Sequence, residues 1–212
     1  MNIFFLYAHF FNRVPVNCSF EIDDADDEWI FSHKFDYIHA RMVMTCFKDA
    51  RKVMHSAAAF LSPGGYLEYQ DGMLPMKFHE PPPPESAFVK WINLVMEASE
   101  KIGRHSGNAQ HYTEWMREAG LVDIEERKFF LAVGPWPENK RDKRLGAYNR
   151  ANWIEAIEGP TMKLLGLVGW GENECKVLVA QAKKNLMEGT VKPYMDVLVC
   201  WAKKPAEEAE TQ

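Results

Sequence analysis

Few side chains in this sequence combine a reactive type with a suggestive setting. His39 and Arg41 close a short apolar run, Phe35-Asp-Tyr-Ile-His-Ala-Arg41. Histidine titrates near neutrality and can act as a general base, but on a buried strand it equally serves as a hydrogen-bonded core residue. Glu68, Tyr69 and Gln70 fall late in a second run, Tyr66-Leu-Glu-Tyr-Gln-Asp71, and His105 and His111 flank a glycine-containing loop. Loop histidines either line a pocket or stand in solvent. The four cysteines, Cys18, Cys46, Cys175 and Cys200, form no Cys-x-x-Cys pair and have no histidine at zinc-ligand spacing. No metal site and no disulfide framework is expected, and a reducing compartment, cytoplasmic or nuclear, fits best.

Periodicity identifies the elements that must position these residues. Phe35 to Arg41 reads as a buried strand, and Phe47, Met54, Ala57, Ala58 and Leu61 recur at helical spacing after it. Ser62-Pro-Gly-Gly65 should stop that helix before a strand from Tyr66 to Asp71, which makes one βαβ-type unit and implies a parallel sheet. Pro81 to Pro84 form a stiff spacer, followed by a helix with Phe88, Trp91, Ile92, Val95, Met96 and Ile102 on one face. That face reads as core packing in preference to a substrate lid. A helix from about Ala109 ends at Gly120, a strand spans Leu121 to Leu131, and Gly134-Pro-Trp-Pro137 makes a turn. A mixed segment leads to Gly171, a helix buries Cys175, Leu178, Val179, Ala182 and Leu186, and Tyr194 to Ala202 is the last strand.

Composition narrows the partners. At 212 residues, 47% hydrophobic and 26% charged, the chain suits one folded domain. The expected organisation is an atypical segment 1–14, a domain over 15–205 and a flexible tail 206–212. A formal charge of −5 and the acidic run Asp23-Asp-Ala-Asp-Asp-Glu28 repel phosphate backbones, so nucleic acid is a poor partner. The apolar opening Ile3 to Phe11 is far short of the ~20 residues that span a bilayer, and no membrane segment is expected.

The phrases Phe35-Asp-Tyr-Ile-His-Ala-Arg41 and Pro63-Gly-Gly-Tyr-Leu-Glu68, one helix apart, resemble the fourth and fifth strands of class I S-adenosylmethionine-dependent methyltransferases. Asn17 to Trp29, the Ala119-Gly120-Leu121 step, Gly134-Pro-Trp-Pro137, Trp170-Gly-Glu-Asn-Glu174 and the strand before Lys204-Pro205 resemble the fungal subfamily that includes regulators of secondary metabolism. The resemblance implies an α/β Rossmann-like sheet with helices on both faces and a last strand inserted in reverse beside the fifth. It also implies S-adenosylmethionine as cofactor and a small-molecule acceptor. Carried over residue by residue, it sets Asp24 and Ala25 at the adenine, His39 and Arg41 near the methionine portion and the methyl group, and Glu68, Tyr69 and Gln70 on the acceptor side with His105 and His111. Against this stand a solvated acidic loop and a core histidine.

Such a fold holds its cofactor on a glycine-rich loop after the first strand, where a β-carbon would obstruct the backbone's approach. Here the first glycine is Gly64, and Gly166-Leu-Val-Gly-Trp-Gly171 has the motif's order reversed, reading as a turn between helices. Only about fourteen residues precede the resemblance, fewer than the ~30 of a βαβ unit. The expectation is therefore a methyltransferase domain lacking its first strands and glycine loop, with weak or absent cofactor binding. The rival is a non-catalytic methyltransferase-like regulator. Loss of those strands should also leave Phe35 to Arg41 as an edge, covered by Ser19 to Asp23, by Ile3 to Phe11 or by self-association.

Overall fold

Strand β1 (Phe35–Arg41) feeds helix α1 (Ala50–Phe60), which returns the chain to strand β2 (Leu61–Gly72) running parallel to β1. The structure is a computed structural model that describes residues 17–206. The expected segment 1–14, any pairing of Ile3 to Phe11 with β1, and the tail beyond Ala206 lie outside the described residues. Asp49 starts α1 by accepting the Lys52 amide at 2.8 Å, which satisfies one of the unpaired donors of the first turn. Short strand β3 (Lys77–Phe78), helix α2 (Ala87–Lys101), a 3-10 turn at Asn108–His111, helix α3 (Tyr112–Glu118) and strand β4 (Val122–Ala132) follow. Helices α4 (Lys140–Ala156), α5 (Glu158–Leu167) and α6 (Glu172–Glu188) then lead to strand β5 (Pro193–Lys203). The segment expected to be mixed is mostly α4 and α5.

Strand β5 lies antiparallel between β2 and β4, with β3 extending the β2 side. The reversed insertion matches the expectation. Leu67, Tyr69, Leu198, Cys200 and Ala202 face α1 and α3 to make one core, while α2, α5 and α6 enclose a second around Phe88, Leu165, Ala182 and Leu186. On the opposite sheet face Tyr37, Tyr66 and Phe129 remain 54%, 43% and 49% exposed. No described helix is long and apolar enough to cross a membrane.

Two local expectations are corrected. Ser19 to Asp23 forms no strand and does not pair with β1. Its acidic end turns on itself instead: the Asp24 amide donates to Asp23 Oδ1 at 2.9 Å, and the Asp26 amide to Asp24 Oδ1 at 3.1 Å. Such side-chain acceptors compete with a strand ladder for the same amides. Among the described residues the outer edge of β1 has no strand partner. The second correction is that Ser62 to Gly65 belongs to β2 and is not a turn ahead of it. Pairing jumps from Phe35 with Leu61 to Tyr37 with Tyr66, and the extra residues bulge where Gly64 takes φ +80°. A side chain at Gly65 would sit 3.0 Å from the carbonyl oxygens of Phe35, Asp36 and Ser62.

One buried carboxylate fastens the sheet to what surrounds it. Asp71, fully buried near the end of β2, accepts the Val43 amide at 2.7 Å and the Tyr112 hydroxyl at 2.7 Å. It thereby ties the loop after β1 to α3. Burial pushes its carboxyl up to about 6, against the opposing pull of the hydrogen bonds from Tyr112, Val43 and Met44. A carboxyl whose folded value lies above its unfolded one binds its proton more tightly when folded. Its contribution to stability is then greatest below about pH 4 and declines as pH rises to about 6, by roughly 3 kcal/mol in all. Asp71→Asn keeps an acceptor for Val43 and does not titrate, so the thermal stability of wild type minus that of the variant should fall between pH 4 and pH 7. Asp71→Ala leaves the Val43 amide and the Tyr112 hydroxyl unpaired and should cost about 1–3 kcal/mol for each orphaned group. Thermal melts of the three proteins at the two pH values check both statements.

A second fastening holds α4. The Gly134 amide donates to the Gly146 carbonyl at 2.9 Å, and a β-carbon on Gly146 would drive into the Gly134 carbonyl. Alanine at 146 should therefore destabilise the protein by about 1–3 kcal/mol, as overpacking generally does. This outweighs the roughly 1 kcal/mol that alanine gains over glycine in helix propensity. Denaturant titration of Gly146→Ala measures the sign.

Candidate functional site

Parallel strands β1 and β2 end side by side, with Arg41 paired to Gln70 in the ladder. Immediately beyond, the Met42 amide donates to the Gln70 carbonyl at 2.9 Å while Met42 takes φ +54°, a conformation uncommon for a residue with a β-carbon. The chain thus leaves the sheet sharply, and Met44 and Thr45 become part of a wall. The wall bounds a cavity of 520 Å³ that is also lined by α2, α4 and α5, through Trp91, Ile92, Met96, Asn149, Trp153 and Leu164. Its place follows a general rule of open α/β sheets, which bind ligands outside the carboxyl ends of their parallel strands.

The cavity wall is held by backbone contacts. Asn108 Nδ2 donates to the Met44 carbonyl at 3.3 Å, and the Arg104 guanidinium donates to the Cys46 carbonyl. Glu100 accepts both the Ser106 amide and the Ser106 hydroxyl, which fixes the turn after α2. The indoles of Trp91 and Trp153 meet edge to face with centroids 5.7 Å apart, and Trp91 Nε1 donates to Thr161 Oγ1 at 2.7 Å. Asn149 donates Nδ2 to the Ala132 carbonyl at 2.9 Å. Of the groups anchored in this way, Met44, Ser106, Trp91 and Asn149 line the cavity.

His39 stands apart from this cavity. Its Nδ1 lies 3.3 Å from the Tyr37 hydroxyl and 3.4 Å from Glu68 Oε1, directly across the ladder, and the Tyr37 and His39 rings stack. Burial and then the Glu68 carboxylate raise the Tyr37 phenol. Gln70 Nε2 donates to Glu68 at 2.5 Å, so Glu68 links His39 to the residue that does line the cavity. The arrangement fixes the imidazole through Nδ1, and Nε2 has no partner among the described residues. A group held in this way can take or give a proton on the open sheet face. Arg41, two residues on, is on the cavity wall.

The other expected positions separate. Tyr69 is a core residue, 2% exposed and packed on the Tyr112 ring at 4.8 Å, and not a pocket residue, because it points to the α1 and α3 side of the sheet. His105 and His111 do not line the cavity either: His105 pairs with Glu100 at 2.6 Å, and His111 stacks on Trp115 beside Glu114, both on the surface. Asp24 spends its carboxylate at least in part on the Asp26 amide. Ala25 accepts Trp29 Nε1 at 3.1 Å, and both line a smaller groove of 370 Å³ beside Phe35 and Ile38. Trp29 also packs on Phe31 and Phe60. The acidic run is structural at Asp26, which accepts the Lys48 and Asp49 amides just ahead of α1. Sequence reasoning missed Asn149, Asn152 and Trp153 because α4 alternates too little in polarity to show a buried face. Trp91 and Met96 were visible as an apolar stripe, but a stripe does not reveal which of its members face a void.

Known proteins resemble this chain in sequence. The family model described as methyltransferase domain matches residues 7–126, more than half of the chain. The methyltransferase pytC of Aspergillus terreus is 32% identical over 193 residues, covering 90% of this chain and 60% of that protein. The secondary metabolism regulator laeA of Fusarium oxysporum is 24% identical over 176 residues, covering 80% of this chain and 56% of that protein. A solved phosphoethanolamine N-methyltransferase 2 of Haemonchus contortus is 19% identical, with a TM-score of 0.45, covering 87% of this chain and 36% of that one. The chain spans about 60% of the length of the first of these relatives. With its sheet order, its reversed β5 and a family model matched over more than half its length, the chain belongs to the methyltransferase domain family.

Proposed function

We propose that this chain is the acceptor-side portion of an S-adenosylmethionine-dependent methyltransferase of fungal secondary metabolism, acting on a small molecule. The observation that carries the reading is the 520 Å³ cavity at the carboxyl ends of β1 and β2, lined by Arg41 and Gln70, in a chain of the methyltransferase family. In an in-line methyl transfer, positioning supplies most of the rate, and such a cavity positions. The cited relatives support the metabolic setting.

The residues present do not make a complete cofactor site. No glycine precedes Gly64, so the described backbone ahead of it offers no side-chain-free cradle of the kind the amino-acid and ribose portions need. Asp24 is engaged in its own turn, and His39 is held by Tyr37 and Glu68. What Asp24, Ala25 and His39 could add is a few hydrogen bonds of about 0.5 to 1.5 kcal/mol each. A second reading, a non-catalytic regulator on the same fold, draws on the same missing cradle and on the likeness to laeA.

Calorimetric titration of the 212-residue chain with S-adenosylmethionine should give a dissociation constant weaker than about 1 mM, which corresponds to roughly −4.1 kcal/mol. Micromolar binding that is lost in Asp24→Ala would overturn the reading of an incomplete site. Radiolabelled methyl transfer to small phenols and acids, run with cofactor well above 1 mM, separates the two functions. Slow transfer is expected; none at any cofactor concentration would favour the regulator.

A further inference from the structure

The same cavity states what kind of molecule it would accept, and this step rests on the reading above only in calling that molecule the acceptor. At 520 Å³ it falls within the roughly 300–1,000 Å³ of small-molecule pockets. Its walls are aromatic and soft: the crossed indoles of Trp91 and Trp153, together with Met44, Met96 and Met195. Indole faces favour flat ring systems, and methionines adapt to the outline of what is bound.

The charge on the lining is of one sign. Arg41 is the only charged side chain among the described residues that line the cavity, and no described carboxylate pairs with it. Asn149, with Nδ2 committed to the Ala132 carbonyl, has Oδ1 left over. No aspartate, glutamate, histidine, lysine, tyrosine or cysteine lines the cavity among the described residues.

Two consequences follow from that lining. A cationic molecule would meet Arg41 with no counter-charge to offset it, which is unfavourable at short range. A neutral nucleophile that must lose a proton would find no base at hand. Both difficulties disappear for an organic acid that is already ionised in water. The charged oxygen can lie against the guanidinium, whose planar fork matches a carboxylate or an enolate pair of oxygens. We infer that the cavity between β1, β2, α2 and α4 binds a planar, conjugated organic anion, with its ring system against Trp91 and Trp153 and its anionic oxygen on Arg41.

The test uses three naphthalene probes of one size, without S-adenosylmethionine: 2-naphthoate, neutral 2-acetylnaphthalene and the 2-naphthylmethylammonium cation. Equilibrium dialysis against the 212-residue chain should show 2-naphthoate bound at least about tenfold more tightly than the cation, with the neutral probe between them. Arg41→Gln should weaken 2-naphthoate by about tenfold and leave the neutral probe unchanged, while Trp153→Ala should weaken all three. Circular dichroism establishes that each variant is folded, and if one is not, the order of the probes on the wild-type chain still decides. Equal binding of the three probes, or 2-naphthoate binding that Arg41→Gln does not alter, overturns the inference. Because no cofactor is present, bound naphthoate without methyl transfer in the assay above would leave the ligand class standing and remove the enzyme reading. Methyl transfer to a phenol in that assay without naphthoate binding would do the reverse.

Discussion

The structure depends on the reversed insertion of β5. That strand exchanges ladder hydrogen bonds with β2 on one side and β4 on the other, and β3 extends the β2 side. Central strands must satisfy both rows of backbone donors and acceptors and bury side chains, and β5 does so with Leu198, Cys200 and Ala202 packed on α1 and α3. Strands β2 and β4 are thus brought into one sheet by a strand far from β2 in sequence. The cavity wall from Met195 and Val197 exists only once that pairing has formed.

Around this sheet, polar groups are arranged to hold loops. Asp71 costs stability by being buried as a carboxylate, yet it fixes Val43 and Tyr112 together and so sets where the chain goes after β1. Met42 then accepts a left-handed backbone, and Met44 and Thr45 reach the cavity. Asp26 performs a comparable task for the amides of Lys48 and Asp49. An acidic loop that repels anions in the sequence is thus partly internal wiring, with its charges satisfied by amides. The shape of the turn after β1 is decided by Asp71, 28 positions beyond Val43.

The two faces of the sheet are unequal. One is sealed by α1 and α3, while the other presents Tyr37, Tyr66 and Phe129 to solvent, with Arg127 over the Trp201 ring and Lys203 over the Tyr66 ring. Cations lying on aromatic rings shield part of that apolar surface from water. His39 and Glu68 share this open face, which explains why the histidine is oriented by neighbours on the sheet and not by the cavity.

By itself the sequence determined the strands Phe35–Arg41, Val122–Ala132 and Pro193–Lys203 to within a residue or two, from short runs bounded by turn residues, and the buried face of α6 residue by residue, because its apolar side chains repeat at the helical period. The family phrases fixed the reversed strand and placed Arg41 and Gln70 at the end of the sheet, since ladder register follows from the parallel pairing of two read strands. Only the tertiary structure decided that Tyr69 is core, that Ser19 to Asp23 forms no strand and that His105 and His111 lie outside the cavity. It alone brought Trp91, Asn149 and Trp153 to the same cavity as Arg41. Those facts depend on which face of one element meets another across dozens of residues. Local periodicity carries no record of such meetings, because packing between elements is settled by shape and by buried hydrogen bonds such as that from Tyr112 to Asp71.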